Sequence, residues 1–292
     1  MKAKLLLFFF CLSVLSGMGQ RTIKQNKCKT CGKVISQCRH KGKHPKSTPK
    51  QKPKPRVTAS YQNEVLRVGN VSYRMKYVEG GTFTMGATSE MENPEDDERP
   101  THQVTLSSYY IGETEVTQAL WKAVMGKNLS WFEGDDRPVE QVSWNDCQTF
   151  ISKLNALTGK RFRLPTEAEW EFAARGGNQS HHTQYSGSSR IDDVAWYLDN
   201  NGDETYPVKT KQPNELGIYD MTGNVDEWCQ DWYGRYSSYA QTDPTGASSG
   251  SKRVYRGGSS FSSPSGCRSS FRGCSAPENT SECLGLRLVL SQ

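Results

Sequence analysis

Beyond Gly177 the chain carries almost no hydrophobic period of either kind, and Gly, Ser, Asn and Trp alternate in short clusters as far as the C-terminus. A helix needs apolar residues at a 3.6-residue period and a half-buried strand at a period of two. A long segment with neither period, yet rich in aromatic residues, has one way to stay ordered. It must form long structured loops and short strands whose backbone groups bond to one another and to side chains. Seven Trp, thirteen Tyr and 26 Gly supply the aromatic surface for a sizeable core and the turns that such loops need.

The residues between Tyr73 and Gly177 are more regular. Met75 to Met85 (MKYVEGGTFTM) alternates apolar and polar residues about Gly80-Gly81, which predicts a β-hairpin, and His102 to Ile111 reads as a further strand. Three helices follow. Thr117 opens TQALWKAVMG, with Gly126 after the last turn. Asn145 opens NDCQTFISKLNALTG, with Cys147, Phe150, Ile151, Leu154 and Leu157 on one face. Thr166 opens TEAEWEFAARGG, with Glu169 completing a capping box and Gly176 as the stop. No internal repeat is evident.

The first 60 residues are of another kind. Lys2 and Lys4, the apolar run Leu5–Leu15 and Gly17-Met18-Gly19 predict a signal peptide over residues 1–19 and hence an exported, periplasmic or secreted protein. The run is too short for a transmembrane anchor. Residues 20–60 read as a basic, Pro- and Lys-rich tail, mostly disordered, ahead of a domain over residues 68–292. Residues 1–56 hold 15 Lys or Arg and no acid, which leaves 22 basic against 31 acidic side chains in the rest. The positive net charge therefore belongs to the leader and tail. An acidic folded part argues against a nucleic-acid partner.

Within the tail, Cys28, Cys31, Cys38 and His44 follow the spacing C-x2-C-x6-C-x5-H, with His40 as a competing fourth ligand. A Cys-x-x-Cys turn followed by Gly places two thiolates on one side of a metal, so these four are a candidate zinc set. The alternative is a disulfide between two of the three cysteines.

Several blocks of the larger domain resemble the formylglycine-generating (sulfatase-modifying factor) family. They are GGTFTMG (Gly80–Gly86), EVTQALW (Glu115–Trp121), RPVEQVSWNDC (Arg137–Cys147), RLPTEAEWEFAARGG (Arg163–Gly177), NELGIYDMTGNVDEW (Asn214–Trp228), RVYRGGSSF (Arg253–Phe261) and LGLRLV (Leu284–Val289), in the family's order. The resemblance implies an α+β, C-type-lectin-like fold with short strands, about three helices and little regular secondary structure. It also implies structural calcium at Asp220, Gly223, Val225 and Glu227, a mix of carboxylate and carbonyl oxygens that suits Ca2+. A second calcium loop would fall near residues 192–203, where Asp193, Asn201 and Asp203 are available.

Active members of that family oxidise a sulfatase cysteine with O2 and a copper ion held by two cysteines, and a thiolate pair suits soft Cu+. Here the frame runs Gly257-Gly258-Ser259-Ser260-Phe261-Ser262 to Cys267, so Ser262 stands at the first ligand position and Cys267 at the second. Ser259 and Cys267 are the catalytic-set residues that remain. Asp226 replaces a Trp of the family's block, Ser263 a His and Gly266 a Tyr. The cysteines also have plain structural readings. Cys147 is a buried small hydrophobe, Cys274 with Cys283 is the simplest disulfide, and Cys229 is open to pairing with Cys267. His181 and His182 sit in a polar loop stretch, and His102 opens a strand without a clear carboxylate partner. Two functions follow. By family the chain is a formylglycine-generating oxidase acting on a peptide or protein such as a sulfatase, though with an incomplete copper site. The alternative is a non-catalytic lectin-like binding or structural module of the cell envelope, holding an envelope partner or glycan.

Overall fold

A computed structural model describes residues 63–291. The expected signal peptide and tail, with Cys28, Cys31, Cys38, His40 and His44, lie outside the described residues. Among the described residues, twelve strands fall into three sheets. The largest has the order β1 (Glu64–Val68), β2 (Val71–Val78), β5 (Tyr109–Gly112), β12 (Val289–Ser291) and β6 (Phe162–Arg163). A second runs β10 (Gly273–Ser275), β9 (Arg253–Arg256), β7 (Asp226–Trp232), β11 (Leu284–Gly285), and a third β3 (Gly81–Met85), β4 (His102–Leu106), β8 (Gln241–Thr242). With the helices between them, this is the expected α+β fold of short strands.

The hairpin expected about Gly80-Gly81 does not form. β2 pairs with β1 and β5, whereas β3 pairs with β4, so the two alternating segments belong to different sheets. The reason for glycine at Gly80 is close approach. A Cβ there would lie 2.4 Å from the Leu106 carbonyl oxygen and 2.8 Å from the Ser107 carbonyl carbon. The closing LGLRLV segment is likewise split, β11 and β12 joining different sheets.

The helices follow their caps. α1 (Gln118–Met125) starts at Thr117, whose hydroxyl accepts from the Leu120 amide, and ends at Gly126 in the left-handed region. α3 (Glu167–Ala174) has the Thr166–Glu169 capping box. α2 (Trp144–Thr158) starts earlier than expected, because Ser143 with Asp146 makes a capping box ahead of Asn145. Cys147, Phe150, Ile151 and Leu154 are buried, but Leu157 is 62% exposed; the helix outlasts the core by a turn. Trp121 and Phe150 stack with centroids 4.8 Å apart, joining α1 and α2 over the large sheet. Trp170 and Phe172 of α3 anchor a second cluster with Val104, Ile111 and Val254.

Between α3 and β7 the described chain contains one 3-10 turn (Gly177–Gln179), the four-residue α4 (Ile191–Val194) and no strand. Buried asparagines organise this stretch. Asn214 donates to the Ala173 carbonyl and the Ser186 hydroxyl, and accepts from the Leu216 and Ile218 amides. Asn224 accepts from the Tyr206 amide and donates to Glu115 Oε1 at 3.0 Å. Arginine–carboxylate pairs tie the loops to the core: Arg268 with Glu98, Arg256 with Glu167 and Glu171, Arg272 with Glu167.

Candidate functional site: the glycine-serine turn and the cavity beside it

Loop 220–225 delivers the chain into β7. Asp220 and Asn224 have positive φ, and a Cβ on Gly223 would meet the Trp196 carbonyl oxygen at 2.2 Å. Side-chain-free backbone is therefore obligatory there. Of the four expected calcium residues, the two carboxylates, Asp220 and Glu227, are already engaged by other groups. Both oxygens of Glu227 accept from Arg287, at 2.7 to 3.0 Å, and Oε2 also accepts from Trp170 Nε1 at 2.7 Å. Asp220 Oδ2 accepts from the Lys209 amide at 2.8 Å. Burial raises the Asp220 carboxyl to about 6, against the opposing pull of the Lys209 amide. A guanidinium already neutralises Glu227, so this donor set does not fit a dication. In the second loop Asn201 donates to the Ser260 carbonyl and accepts from the Asp203 amide. Among the described residues no group of three His, Cys, Asp or Glu side chains is placed to hold a metal.

The glycine pair after β9 turns the chain sharply, with φ of +105° at Gly257 and +70° at Gly258. This brings Ser259 onto Ser262: the Ser259 amide donates to Ser262 Oγ at 3.0 Å, and the two hydroxyls are 3.2 Å apart. Cys267 is buried against Gly258, where an added Cβ would stand 2.7 Å from its Sγ. Burial pushes the Cys267 thiol well above its ordinary range, and the nearby Asp226 pushes it further. Ser262 is thus a hard, protonated oxygen already committed to an amide, and Cys267 is a buried thiol that resists ionisation. These residues do not fit Cu+.

The turn, the G-N-x-x-E-W loop and the α3 block match a family model described as the sulfatase-modifying factor enzyme 1-like domain over residues 67–292. The chain belongs to the sulfatase-modifying factor family. It is 34% identical over 275 residues to the Chaperone protein LppX of Paenibacillus barcinonensis, covering 76% of this chain and 91% of that protein. It is 30% identical over 277 residues to the formylglycine-generating enzyme of Streptomyces coelicolor, covering 71% and 86%. Among solved structures, Treponema denticola variable protein 1 superposes with a TM-score of 0.73 at 34% identity, covering 80% of this chain and all of that one. PvdO from Pseudomonas aeruginosa superposes at 0.66 and 25% identity, again covering 80% and all.

The disulfides suggested for this sulfatase-modifying factor domain do not form; Cys147, Cys229, Cys267, Cys274 and Cys283 are all free. Cys274 is in β10 and Cys283 immediately precedes β11, at opposite edges of a four-stranded sheet. Three strand steps of about 4.8 Å exceed the roughly 7 Å Cα limit for a bridge. Cys229 and Cys267 belong to separate core clusters.

What spacing could not reveal is the cavity behind the turn. It has a volume of about 460 Å³ and is lined by Asp226, Tyr255, Glu278, Ser281 and Cys283 among others. Cys283 Sγ lies 3.1 Å from Ser281 Oγ, and the Asp226 amide donates to the Cys283 carbonyl at 2.8 Å. The signal was available only as a departure: Asp226 stands where the resemblance implied Trp. His102 packs at a tilt on Tyr236, and His181, 75% exposed, lies 3.2 Å from Glu215.

Proposed function

We propose that this chain is an exported, non-catalytic member of the sulfatase-modifying factor family that binds a polypeptide partner on the face built around the Ser259–Ser262 turn. One observation carries the reading: Ser262 Oγ accepts the Ser259 amide at the position where a second copper thiolate would be required. The surroundings support binding. Phe132 stacks on Phe261 next to the turn at 6.0 Å, Trp131 beside it is 73% exposed, and Leu198, half exposed, donates its amide to the Ser262 carbonyl. Exposed aromatic and aliphatic groups gathered at one place mark contact surfaces. The relative named as a chaperone, at 34% identity, is compatible with this role.

Family membership favours a second reading, an oxidase acting on a sulfatase cysteine, as the formylglycine-generating relatives are named. The two are separated by loading the reduced protein with Cu+ and adding a cysteine-containing sulfatase peptide under O2. The binding reading expects the peptide thiol to persist, and expects Ser262→Cys to raise Cu+ uptake. Aldehyde formation by the unaltered protein would overturn it.

A further inference from the structure

β3 (Gly81–Met85) is an outer strand of its sheet, bonded to β4 on one side only. In an antiparallel ladder every second residue turns both its N–H and its C=O away from the partner strand. Side chains cap the two ends of this free edge. Asn178 Nδ2 donates to the Glu79 and Gly80 carbonyls at 3.3 and 3.1 Å. At the other end the Gly86 amide donates to Glu171 Oε1 at 2.8 Å, and Arg175 Nη2 donates to the Gly86 carbonyl at 2.6 Å. Between these caps the backbone of Thr82–Thr84 bonds to β4 and to nothing else among the described residues. At least one of the three therefore offers both of its backbone groups outward.

A groove of about 370 Å³ runs beside this stretch. Phe83 packs on Phe172 with centroids 5.1 Å apart, whereas the Thr82 and Thr84 hydroxyls bond to Thr105 and Gln103 on the other face. All three line the groove, and a cavity touched from both faces of a strand lies at that strand's edge. Glu90, Ser180 and His182, from the loops after β3 and after α3, close it in. Arg175 also lines it, but its guanidinium is already given to Glu171, Thr88, Glu90 and Gly86, so the groove is not built to read charge. What remains unspent is backbone, and unspent strand backbone is satisfied by a second extended chain. The geometry points to a β-augmentation site: an extended segment of a partner polypeptide adds a strand along Thr82–Thr84, with one apolar side chain against the half-buried Phe83 ring. The walls select a slender chain over the edge of a folded domain, least of all a second copy's β3, which stands behind the same walls. The outer strands β6, β8, β10 and β11 have only two or three residues, and β1, equal to β3 in length, follows directly on residues outside the described ones. The site goes beyond the Ser259–Ser262 face and does not rest on it, since groove and turn share no residue.

The test titrates two capped pentapeptides into the full chain. One is acetyl-threonyl-valyl-threonyl-valyl-threonine amide; the other is N-methylated at its three central residues, which keeps the side chains and removes the N–H donors. Affinity and amide hydrogen exchange are both read by NMR. The unmodified peptide is expected to slow exchange at the outward amides of Thr82–Thr84 at least about tenfold at saturation. It should also bind at least about tenfold more tightly than the N-methylated peptide, the scale of about two backbone hydrogen bonds. His182→Trp, at an exposed position on the rim, is expected to weaken binding severalfold by filling the groove while the melting point stays. Equal affinity for the two peptides, no binding by either, or protection that spares Thr82–Thr84 would sink the inference. So would unchanged binding in His182→Trp. Protection of Thr82–Thr84 that appears without peptide as protein concentration rises, together with dimers in sedimentation, would assign the edge to a second copy instead. The non-catalytic reading of the Ser259–Ser262 turn stands through each of these results and falls only to aldehyde formation.

Discussion

Replacing Arg287 by Leu is the perturbation with the largest consequence that the structure lets one work out. Arg287 and Glu227 are at most 1% exposed at their side chains. Arg287 gives Nε and Nη2 to Glu227, Nη1 to the Gly112 carbonyl at 2.9 Å, and Nη2 also to the Tyr219 carbonyl at 2.9 Å. Removing it leaves a carboxylate and two carbonyls in a dry interior, and breaking a buried pair from one side costs about 3–5 kcal/mol. For a domain of this size each kcal/mol moves the melting point by about 2–4 °C, so Tm should fall by about 6–20 °C. Adding Glu227→Gln to Arg287→Leu should restore part of the loss, since the residual cost comes from the stranded charge. The assay is calorimetry on the three variants with and without EGTA. The chelator is expected to leave the unaltered protein where it was, because Arg287 already occupies the Glu227 oxygens. A loss below about 1 kcal/mol for Arg287→Leu, or a comparable loss from EGTA alone, would refute the reasoning and return Glu227 to calcium.

Burial raises the Asp226 carboxyl to about 8, far above an ordinary aspartate. A raised folded-state value means that the folded protein holds this proton more tightly than the unfolded chain. The resulting stabilisation is complete below about pH 4, the unfolded range, and is lost as the pH rises through 8. Asp226→Asn should therefore gain on the unaltered protein between pH 4 and 8 in urea titrations; parallel curves would contradict the assignment. Gly80→Ala should cost about 2 kcal/mol or more in the same assay, because its new methyl meets backbone that has no room to move. Cys274→Ser with Cys283→Ser should change non-reducing stability by less than about 1 kcal/mol, whereas loss of a real bridge would cost about 2–5 kcal/mol.

The parts of the fold that were legible in the sequence are those governed by local rules. Thr117, Thr166 and Gly126 signal helix ends because a cap is made by neighbours in sequence. The pairing of β2 and β3 was not legible, since alternation about two glycines looks the same whether the strands pair with each other or with distant ones. Gly80 is decided by Leu106, more than twenty residues away. The copper frame could be read as broken from Ser262 alone. The partner of Glu227 could not, because Arg287 lies 60 residues on and no period links them. For the same reason Cys283 looked like half of a bridge, when its neighbours are Ser281, Ser259 and an acid.

The placement of β12 has a consequence for how the protein is made. Its three residues sit between β5 and β6, so the large sheet stays in two pieces until Val289–Ser291 arrive. Arg287, the counter-charge for Glu227, comes only two residues earlier. A chain emerging N-terminus first from a ribosome or a translocation pore therefore has no stable halfway domain. Its early strands must wait, unpaired at one edge, for β12. Deleting Val289–Ser291 should leave soluble product scarce, while mutations of the exposed loops are tolerated.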